Sequence, residues 1–330
     1  MMDRKPLSKD VLEIDYRAES ERLAAGLVEM VRGCKRRGLI VALSGGIDSS
    51  LTAALAVKAM GKERVFGIHM PERDSSGATL GLSRSVSDKF GFDSTLEELT
   101  PVLDALGCYR RRDDAIRKAI PEFGDGWKSK IVLPSTGGAT GINFYSVVAQ
   151  DPNGRMVKAR LPLDGYLGVV AATNFKQRIR KTFEYYHADR LNYATTGTPN
   201  RLEYDQGFFV KLGDGAADVK PIAHLYKTQV YKMAEFLGVP MEVCRRPPTT
   251  DTYSLEQGQD EFYFSLPYDR MDLCLYAKNN GYTAAEAGAA VGLTADQAEA
   301  VFKDIDAKRR TTRHLHAGPV LLGAIPEITH

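Results

Sequence analysis

Apolar residues recur at helical spacing over residues 15–37, where Leu23, Leu27, Val28 and Val31 share one side, and this spacing predicts an amphipathic helix. The next run, Gly38 to Leu43, is short and continuously apolar, as in a parallel strand buried on both faces. Ser44-Gly-Gly-Ile-Asp-Ser-Ser50 punctuates it, and the Ala- and Leu-rich stretch from Leu51 to Met60 predicts a helix. Val65 to Met70 predicts a second strand, Thr79 to Phe90 a helix, and Asp93 to Leu96 another short strand. Strand and helix in this rhythm predict an α/β fold, a doubly wound parallel sheet covered by helices on both faces.

The pattern breaks between Gly107 and Gly168. That stretch holds Arg110, Arg111 and Arg112, the single tryptophan Trp127, and Pro134-Ser-Thr-Gly-Gly138. It reads as an insertion at about 107–168 with short elements of its own, and long segments of this kind often carry function. Helical spacing resumes at Thr173 to His187, and a strand is predicted at Leu191 to Thr195. A further helix is predicted at Lys227 to Leu237, with Gly238 as its stop. Pro247-Pro248 marks a break, and a helical hairpin and tail follow at about 268–330. The organisation is that of one domain over 1–330. Residues 283–301 have the outline of a helix-turn-helix, but the second helix carries Asp296, Gln297 and Glu299 with no early Lys or Arg. A helix that engages phosphates needs such cations, so nucleic acid is not an expected partner.

Composition narrows the class without redirecting it. The 330 residues carry 44 Lys+Arg and 42 Asp+Glu, a formal net charge of +2, with 43% hydrophobic and 26% charged residues. This balance is that of an ordinary globular chain and gives no ground for a general polyanion or membrane-surface binder. No apolar stretch reaches the length of a membrane span, and Met1 to Arg22 lacks the apolar centre of a secretory signal. Cys34, Cys108, Cys244 and Cys274 lie far apart with no metal-binding spacing. A cytoplasmic protein without a disulfide framework is the expectation.

The strand-to-helix junction carries the clearest chemistry. A phosphate-binding loop needs small residues that let the backbone approach an anion and a following helix that offers unpaired N–H groups. Ser44, Gly45, Gly46, Ser49 and Ser50 meet those needs, and their hydroxyls add donors. Neither GxxxxGK[ST] nor GxGxxG is present. Asp48 beside bound phosphate would be repulsive without a cation between them, which argues for Mg²⁺. The same residues also fit a plain turn followed by an acid at a helix N-terminus.

Ser-Gly-Gly-Ile-Asp-Ser between a buried strand and a helix resembles the SGGxDS loop of the ATP pyrophosphatases. A second block, Gly197-Thr-Pro-Asn-Arg-Leu-Glu203 followed by Gly207-Phe-Phe-Val-Lys-Leu-Gly-Asp-Gly-Ala-Ala-Asp218, resembles the NAD synthetases within that superfamily. Pro221-Ile222, Leu225-Tyr-Lys-Thr-Gln-Val230, Leu237-Gly-Val-Pro240 and Pro247-Pro-Thr-Thr-Asp251 continue the likeness, and Asn174-Phe-Lys-Gln-Arg178 looks like the family's NxxxR helix start. The resemblance implies ATP-dependent amidation of nicotinic acid adenine dinucleotide (deamido-NAD) through an acyl-adenylate, with release of pyrophosphate and AMP.

By the same resemblance, Ser44 to Ser50 would cradle pyrophosphate, and Asp48 and Glu203 would hold Mg²⁺. Lys227 and Thr249 would reach the phosphates, and Thr198 would contact the nucleotide. Ser44, Asp48 and Lys227 are the implied catalytic set, and Arg178, Asp214, Asp218 and His314 are implied on the deamido-NAD side. Plainer readings stand beside these: Asp214-Gly215 is a favoured turn pair, Lys227 suits a helix start, and Glu203 suits a wet helix face. The chain has no room for a fused glutaminase, so free ammonia or ammonia from a separate amidotransferase is implied. A homodimer is the family expectation.

Two departures bear on the substrate. Pro71 and Asn174 stand 103 positions apart, a long spacing for the family, and the surplus either reshapes the pocket or lengthens an interface or lid. Near the end, Thr312-Arg-His-Leu-His-Ala-Gly-Pro319 stands where the family has His-Lys-Arg-x-x-Pro. His314 matches, Leu315 and His316 do not, and Arg309, Arg310 and Arg313 are the nearby cations able to substitute. The rival readings are a related AMP-forming ligase for another carboxylate and, from another class, a non-catalytic nucleotide-binding regulator.

Overall fold

The structure, a computed structural model, describes residues 5–132, 145–247, 253–255, 258, 263–264, 266–323 and 325. Helix α1 (Tyr16–Gly33) leads into β1 (Leu39–Leu43), α2 (Ile47–Met60), β2 (Val65–His69), α3 (Gly77–Phe90) and β3 (Asp93–Leu96). Two short helices, α4 (Thr100–Ala105) and α5 (Cys108–Arg117), precede three strands, β4 (Lys128–Val132), β5 (Ser146–Gln150) and β6 (Met156–Arg160). The long α6 (Leu163–Leu191) then reaches β7 (Ala194–Thr195), α7 (Arg201–Gln206), α8 (Lys227–Phe236) and α9 (Met241–Cys244). Helices α10 (Tyr268–Asn279), α11 (Ala284–Val291) and α12 (Ala295–His316) follow.

The main sheet is parallel, in the order β3-β2-β1-β7. Its central strand β1 is apolar on both faces because both are covered. Leu39, Val41 and Leu43 point into a core with Leu27 of α1, Leu51 and Leu55 of α2, and Val230 and Met233 of α8. Ile40 points the other way, into a cluster with Ile68, Leu99, Leu103, Tyr109 and Ala188. Successive strands run outward from β1 to β3 and the chain then crosses to β7 on the other side. The strand order therefore reverses between β1 and β7, where α/β sheets leave a crevice at their carboxyl ends.

The predicted strands and helices are present, and the boundaries differ most at β7 and α6. Strand β7 is confined to Ala194–Thr195 because α6 continues to Leu191, with Asn192 ending it in a left-handed conformation. Helix α6 also begins ten residues before the predicted start at Thr173. Gly165 and Gly168 read as loop residues in sequence, but they are contact points with α5. A Cβ on Gly165 would lie 3.2 Å from the Ala115 carbonyl oxygen, and one on Gly168 would lie 2.9 Å from Ala115 Cβ.

The segment that breaks the sequence pattern has two parts. Helix α5 belongs to the main core, where Cys108 and Tyr109 pack with Ile40 and Ile68. Strands β4, β5 and β6 form a separate antiparallel sheet over a cluster containing Ile131, Val147, Phe123 and Val169. Tyr253 is buried in that cluster. Next to it, Ser129 N donates to Ser254 Oγ at 2.9 Å and Leu255 N donates to the Ser129 carbonyl at 3.2 Å. Residues 253–255 thus lie along β4. Pro134 to Gly138 fall outside the described residues.

Below the carboxyl end of β2, Lys176 of α6 is buried between Glu72 (2.9 Å) and Asp74 (2.6 Å). Arg112 of α5 binds Asp74 at 2.5 Å and Tyr109 Oη donates to Glu72 at 2.9 Å. The acids lie on the loop after β2, so this network fixes that loop to α5 and α6.

Leu51 is fully buried in the larger core. Leu51→Ala is expected to cost about 2–5 kcal/mol through lost transfer energy and a residual cavity, read as a shift in the urea midpoint at constant slope. A loss under about 1 kcal/mol would contradict this packing.

Candidate active site

The loop between β1 and α2 occupies one side of the crevice. Gly45 has φ +72°, and a Cβ there would lie 2.6 Å from the Thr79 carbonyl oxygen. Both facts demand glycine, in conformation and in space. Gly46 is the N-cap of α2 and supplies no side chain to satisfy the first helical amides, which leaves them available to an anion. Ser44 is exposed at the rim, and its Oγ accepts from Gly46 N at 3.3 Å. Ser49 and Ser50 are buried, and their hydroxyls donate to the Gly46 carbonyl at 3.0 and 2.8 Å. These two hydroxyls do not join the loop's open face, contrary to the expectation of added phosphate donors. They brace the turn from beneath.

Asp48, in the first turn of α2, meets residues from two other elements. Its Oδ1 accepts from Asn200 Nδ2 at 3.0 Å, and its Oδ2 accepts from Lys227 Nζ. Lys227 is the first residue of α8 and its side chain is buried. Burial pushes the ammonium towards its neutral form, but the charges of Asp48 and Glu203 outweigh that and hold it above the usual lysine range. A cation therefore sits against Asp48, one of the two predicted metal carboxylates, and within the field of the other, Glu203.

Asn200 caps α7. Its Oδ1 accepts from Leu202 N and Glu203 N, and Asn200 N donates to Glu203 Oε2 at 3.2 Å. This reciprocal capping box fixes Glu203 beside the loop after β7. Asp272 of α10 plays the matching part for Lys227. Its Oδ1 accepts from Lys227 N at 3.1 Å and its Oδ2 from Thr228 N at 2.7 Å, so a buried carboxylate caps α8 from another helix. Sequence reading missed both positioning residues. Asn-x-x-Glu at 200–203 is a legible capping signal; Asp272, 45 positions beyond Lys227, has none.

The other predicted residues lie along the continuation of the same loop. Thr198 is half-buried between β7 and α7. Asp218 Oδ2 accepts from Thr195 N at 2.7 Å and from Thr195 Oγ1 at 3.0 Å, which ties the 207–218 segment to β7. Asp214 Oδ1 accepts from Val210 N at 2.8 Å, closing the turn anticipated for Asp-Gly, and burial raises its carboxyl above the ordinary range. Arg178 Nε donates to the Lys211 carbonyl at 3.3 Å, and Lys211 Nζ donates to the His314 carbonyl at 2.8 Å. Arg178 and His314 are therefore brought together through Lys211. Thr249 lies outside the described residues.

The tail differs from expectation in one respect. Arg309, a candidate substitute cation, makes a bidentate pair with Asp205 at 2.6 and 2.8 Å and is committed there. His316 instead packs edge-on against Tyr204 and Phe209, with ring centroids 4.8 and 5.1 Å away, and Lys220 Nζ lies 5.3 Å from the Tyr204 centroid. Burial, and then Lys220, lower the His316 pKa. Among the described residues no three His, Cys, Asp or Glu side chains form a metal-binding group, and no helix is long and apolar enough to cross a membrane.

The sequence profile of the NAD synthase family matches residues 19–120 and 155–314, which include Asp48, Asn200, Glu203, Lys227 and Asp272. The chain belongs to the NAD synthase family. A protein of Rhizobium meliloti (strain 1021) named NH(3)-dependent NAD(+) synthetase is 58% identical over 326 residues, covering 99% of this chain and 98% of its own. One of the same name from Rhizobium rhizogenes (strain K84 / ATCC BAA-868) is 56% identical over 317 residues, covering 96% of each chain. The fold is also that of the NMN synthetase structure from Francisella tularensis, with a TM-score of 0.65 at 19% identity over 94% of this chain and 99% of that one. The long spacing noted in sequence is thus contained within the match to family members of similar length.

Burial lifts the Asp272 carboxyl from 3.8 to about 6 against the pull of its amide donors. Between those values the native state holds more protons than the unfolded chain, so this group's contribution falls as pH rises. At about 1.4 kcal/mol per unit the change is ~3 kcal/mol. Unfolding free energies of wild type and Asp272→Asn, compared from pH 4 to pH 6.5, are expected to show this fall in wild type alone; parallel profiles would exclude it.

Proposed function

We propose that the protein joins ammonia to the carboxylate of deamido-NAD at the expense of ATP, giving NAD, AMP and pyrophosphate, as a cytoplasmic NAD synthetase. The near full-length identity with relatives named NH(3)-dependent NAD(+) synthetase carries this reading. A substrate carboxylate oxygen attacks the α-phosphorus of ATP, the bond from that phosphorus to the bridging oxygen breaks, and pyrophosphate leaves. Ammonia then attacks the acyl carbon, AMP departs with the bonding pair, and the surplus proton is lost to solvent.

Each step suits the side chains in the crevice. The loop Ser44–Gly46 and the uncapped amides of α2 receive the departing pyrophosphate, with Ser49 and Ser50 fixing the loop. The Lys227 ammonium, locked in its charged form, offsets negative charge that builds on the phosphates. Thr198 and Thr249 complete the ATP side. Arg178, Asp214, Asp218 and His314 form the deamido-NAD side; Arg178 and the His314 backbone are both bonded to Lys211, Asp218 to Thr195 and Asp214 to Val210.

Asp48 and Glu203 suit Mg²⁺ because they offer oxygen donors only, and each Asp48 oxygen accepts one bond and keeps a second lone pair. When bound, Mg²⁺ supplies charge neutralisation between the carboxylates and the phosphates. We also read the chain as one ATP pyrophosphatase-like domain, with an insertion at about 107–168 and a helical hairpin and tail at about 268–330. The unmatched stretch 121–154 supports the insertion. Leu163 and Leu167, exposed one turn apart on α6, suit a homodimer. Ammonia arrives free or from a separate amidotransferase.

Incubation with ATP, Mg²⁺, ammonium and deamido-NAD is expected to yield NAD and pyrophosphate in equal amounts. Asp48→Asn should slow both by at least about 10²-fold while leaving the far-UV circular dichroism unchanged. ATP binding with no deamido-NAD-dependent pyrophosphate release would favour a regulator, and release with another carboxylate alone would favour a related ligase.

A further inference from the structure

At the opposite end of the sheet, where β1 and β2 begin, the surface is hollowed by a concavity of about 620 Å³ that opens to solvent. Five residues of β1 separate it from the Ser44 loop, about 16 Å at the rise of a strand. Four arginines line it: Arg32 from α1, Arg36 and Arg37 from the turn before β1, and Arg64 just before β2. Glu63 is the one carboxylate in the lining.

These guanidiniums lack the carboxylate partners that several other arginines have. Arg22, Arg112, Arg117, Arg155 and Arg309 are all paired with carboxylates. Among the described residues Arg32, Arg37 and Arg64 are in no ion pair, and Arg36 donates only to the neutral Asn192 side chain, at 2.8 Å. Like charges gathered round one concavity repel, and an anion able to bridge them relieves that repulsion.

The backbone is shaped to bring them there. Helix α1 stops at Gly33, and Lys35 then adopts φ 53°, a left-handed conformation that residues with a side chain rarely adopt. That reversal, closed by Arg36 N donating to the Val31 carbonyl at 2.9 Å, returns Arg36 and Arg37 towards α1. Tyr193 also lines the concavity. It packs on Gly38, where a Cβ would fall 2.6 Å from Tyr193 Cζ and 2.3 Å from the Arg64 carbonyl oxygen. Tyr193 Oη donates to the Glu63 carbonyl at 3.3 Å, and Val31 and Met60 supply an apolar floor.

We propose that this cavity is a second ligand site, which binds a phosphate-bearing nucleotide. The guanidiniums match phosphate oxygens in bidentate geometry, the tyrosine ring and apolar floor suit a planar base, and the volume is that of a small-molecule site. The site is separate from the crevice that carries the chemistry and does not depend on the identity of the amidated carboxylate.

Equilibrium dialysis with ATP and Mg²⁺, without any carboxylate substrate, tests it. Wild type is expected to bind one more ATP per chain than the variant Arg32→Ala/Arg37→Ala/Arg64→Ala, whose changes are all at exposed positions. The single variant Arg64→Gln should weaken the additional site at least tenfold. Pyrophosphate, which can engage the guanidiniums but has no base, is expected to bind this site at least tenfold more weakly than ATP. Equal ATP stoichiometry in the two proteins would overturn the proposal. So would pyrophosphate binding at the additional site as tight as that of ATP, because the cavity would then recognise phosphate without the nucleotide. If the Ser44 loop itself fails to bind ATP, both totals fall by one and the difference remains.

Discussion

The ion pair between Lys227 and Asp48 is the constraint on which the crevice depends. An ammonium taken out of water costs several kcal/mol unless a partner compensates it, and this one lies at the first residue of α8, where the helix dipole also disfavours a cation. Asp48, at the start of α2, offsets both penalties. The pair therefore forces two helix N-termini to face each other across the point where the strand order reverses. Once they face each other, the first amides of α2 remain available to phosphates, while those of α8 are held by Asp272. Asn200 orients one end of the pair and Asp272 the other, so four separate stretches of chain must be in register before the site exists. Lys176 between Glu72 and Asp74 repeats the device one strand away. A buried lysine is again the knot that ties a loop to helices.

Much of this was legible in the sequence, for identifiable reasons. The central strands β1 and β2 are covered on both faces, so their apolar runs stand out against punctuating glycines and serines. The loop at 44–50 announced itself through its residue types, since close backbone approach demands glycine at position 45 whatever the surroundings. Elements with mixed patterns were harder. The early turns of α6 carry Gly165 and Gly168 to admit α5, and that packing requirement erased the helical signature. Strands β4 and β6 are half exposed and interleave lysine and arginine with apolar residues, too short a pattern to separate from loop. Asp272 illustrates the limit more sharply: a capping role exerted from another helix leaves no local trace.

The roles of the serines and of the tail show a different gap. Residue type alone marks Ser49 and Ser50 as phosphate donors, but geometry turns their hydroxyls inward to hold the turn. Arg309 is available in sequence and spoken for in space. In both cases the sequence identified the chemistry that a side chain can perform, and packing decided whether it was free to perform it.

The pairing of residues 253–255 along β4 has a consequence beyond the route of the chain. In a three-stranded sheet both outer strands present unpaired backbone groups, a template for strands of other molecules. At β4 that edge is occupied by Ser254 and Leu255, with the Tyr253 ring buried alongside. At β6, Lys158 and Arg160 place charge on the exposed edge. The three-stranded sheet is thus shielded by covalently attached chain on one side and by charge on the other, which denies the strands of neighbouring molecules an open edge to pair with.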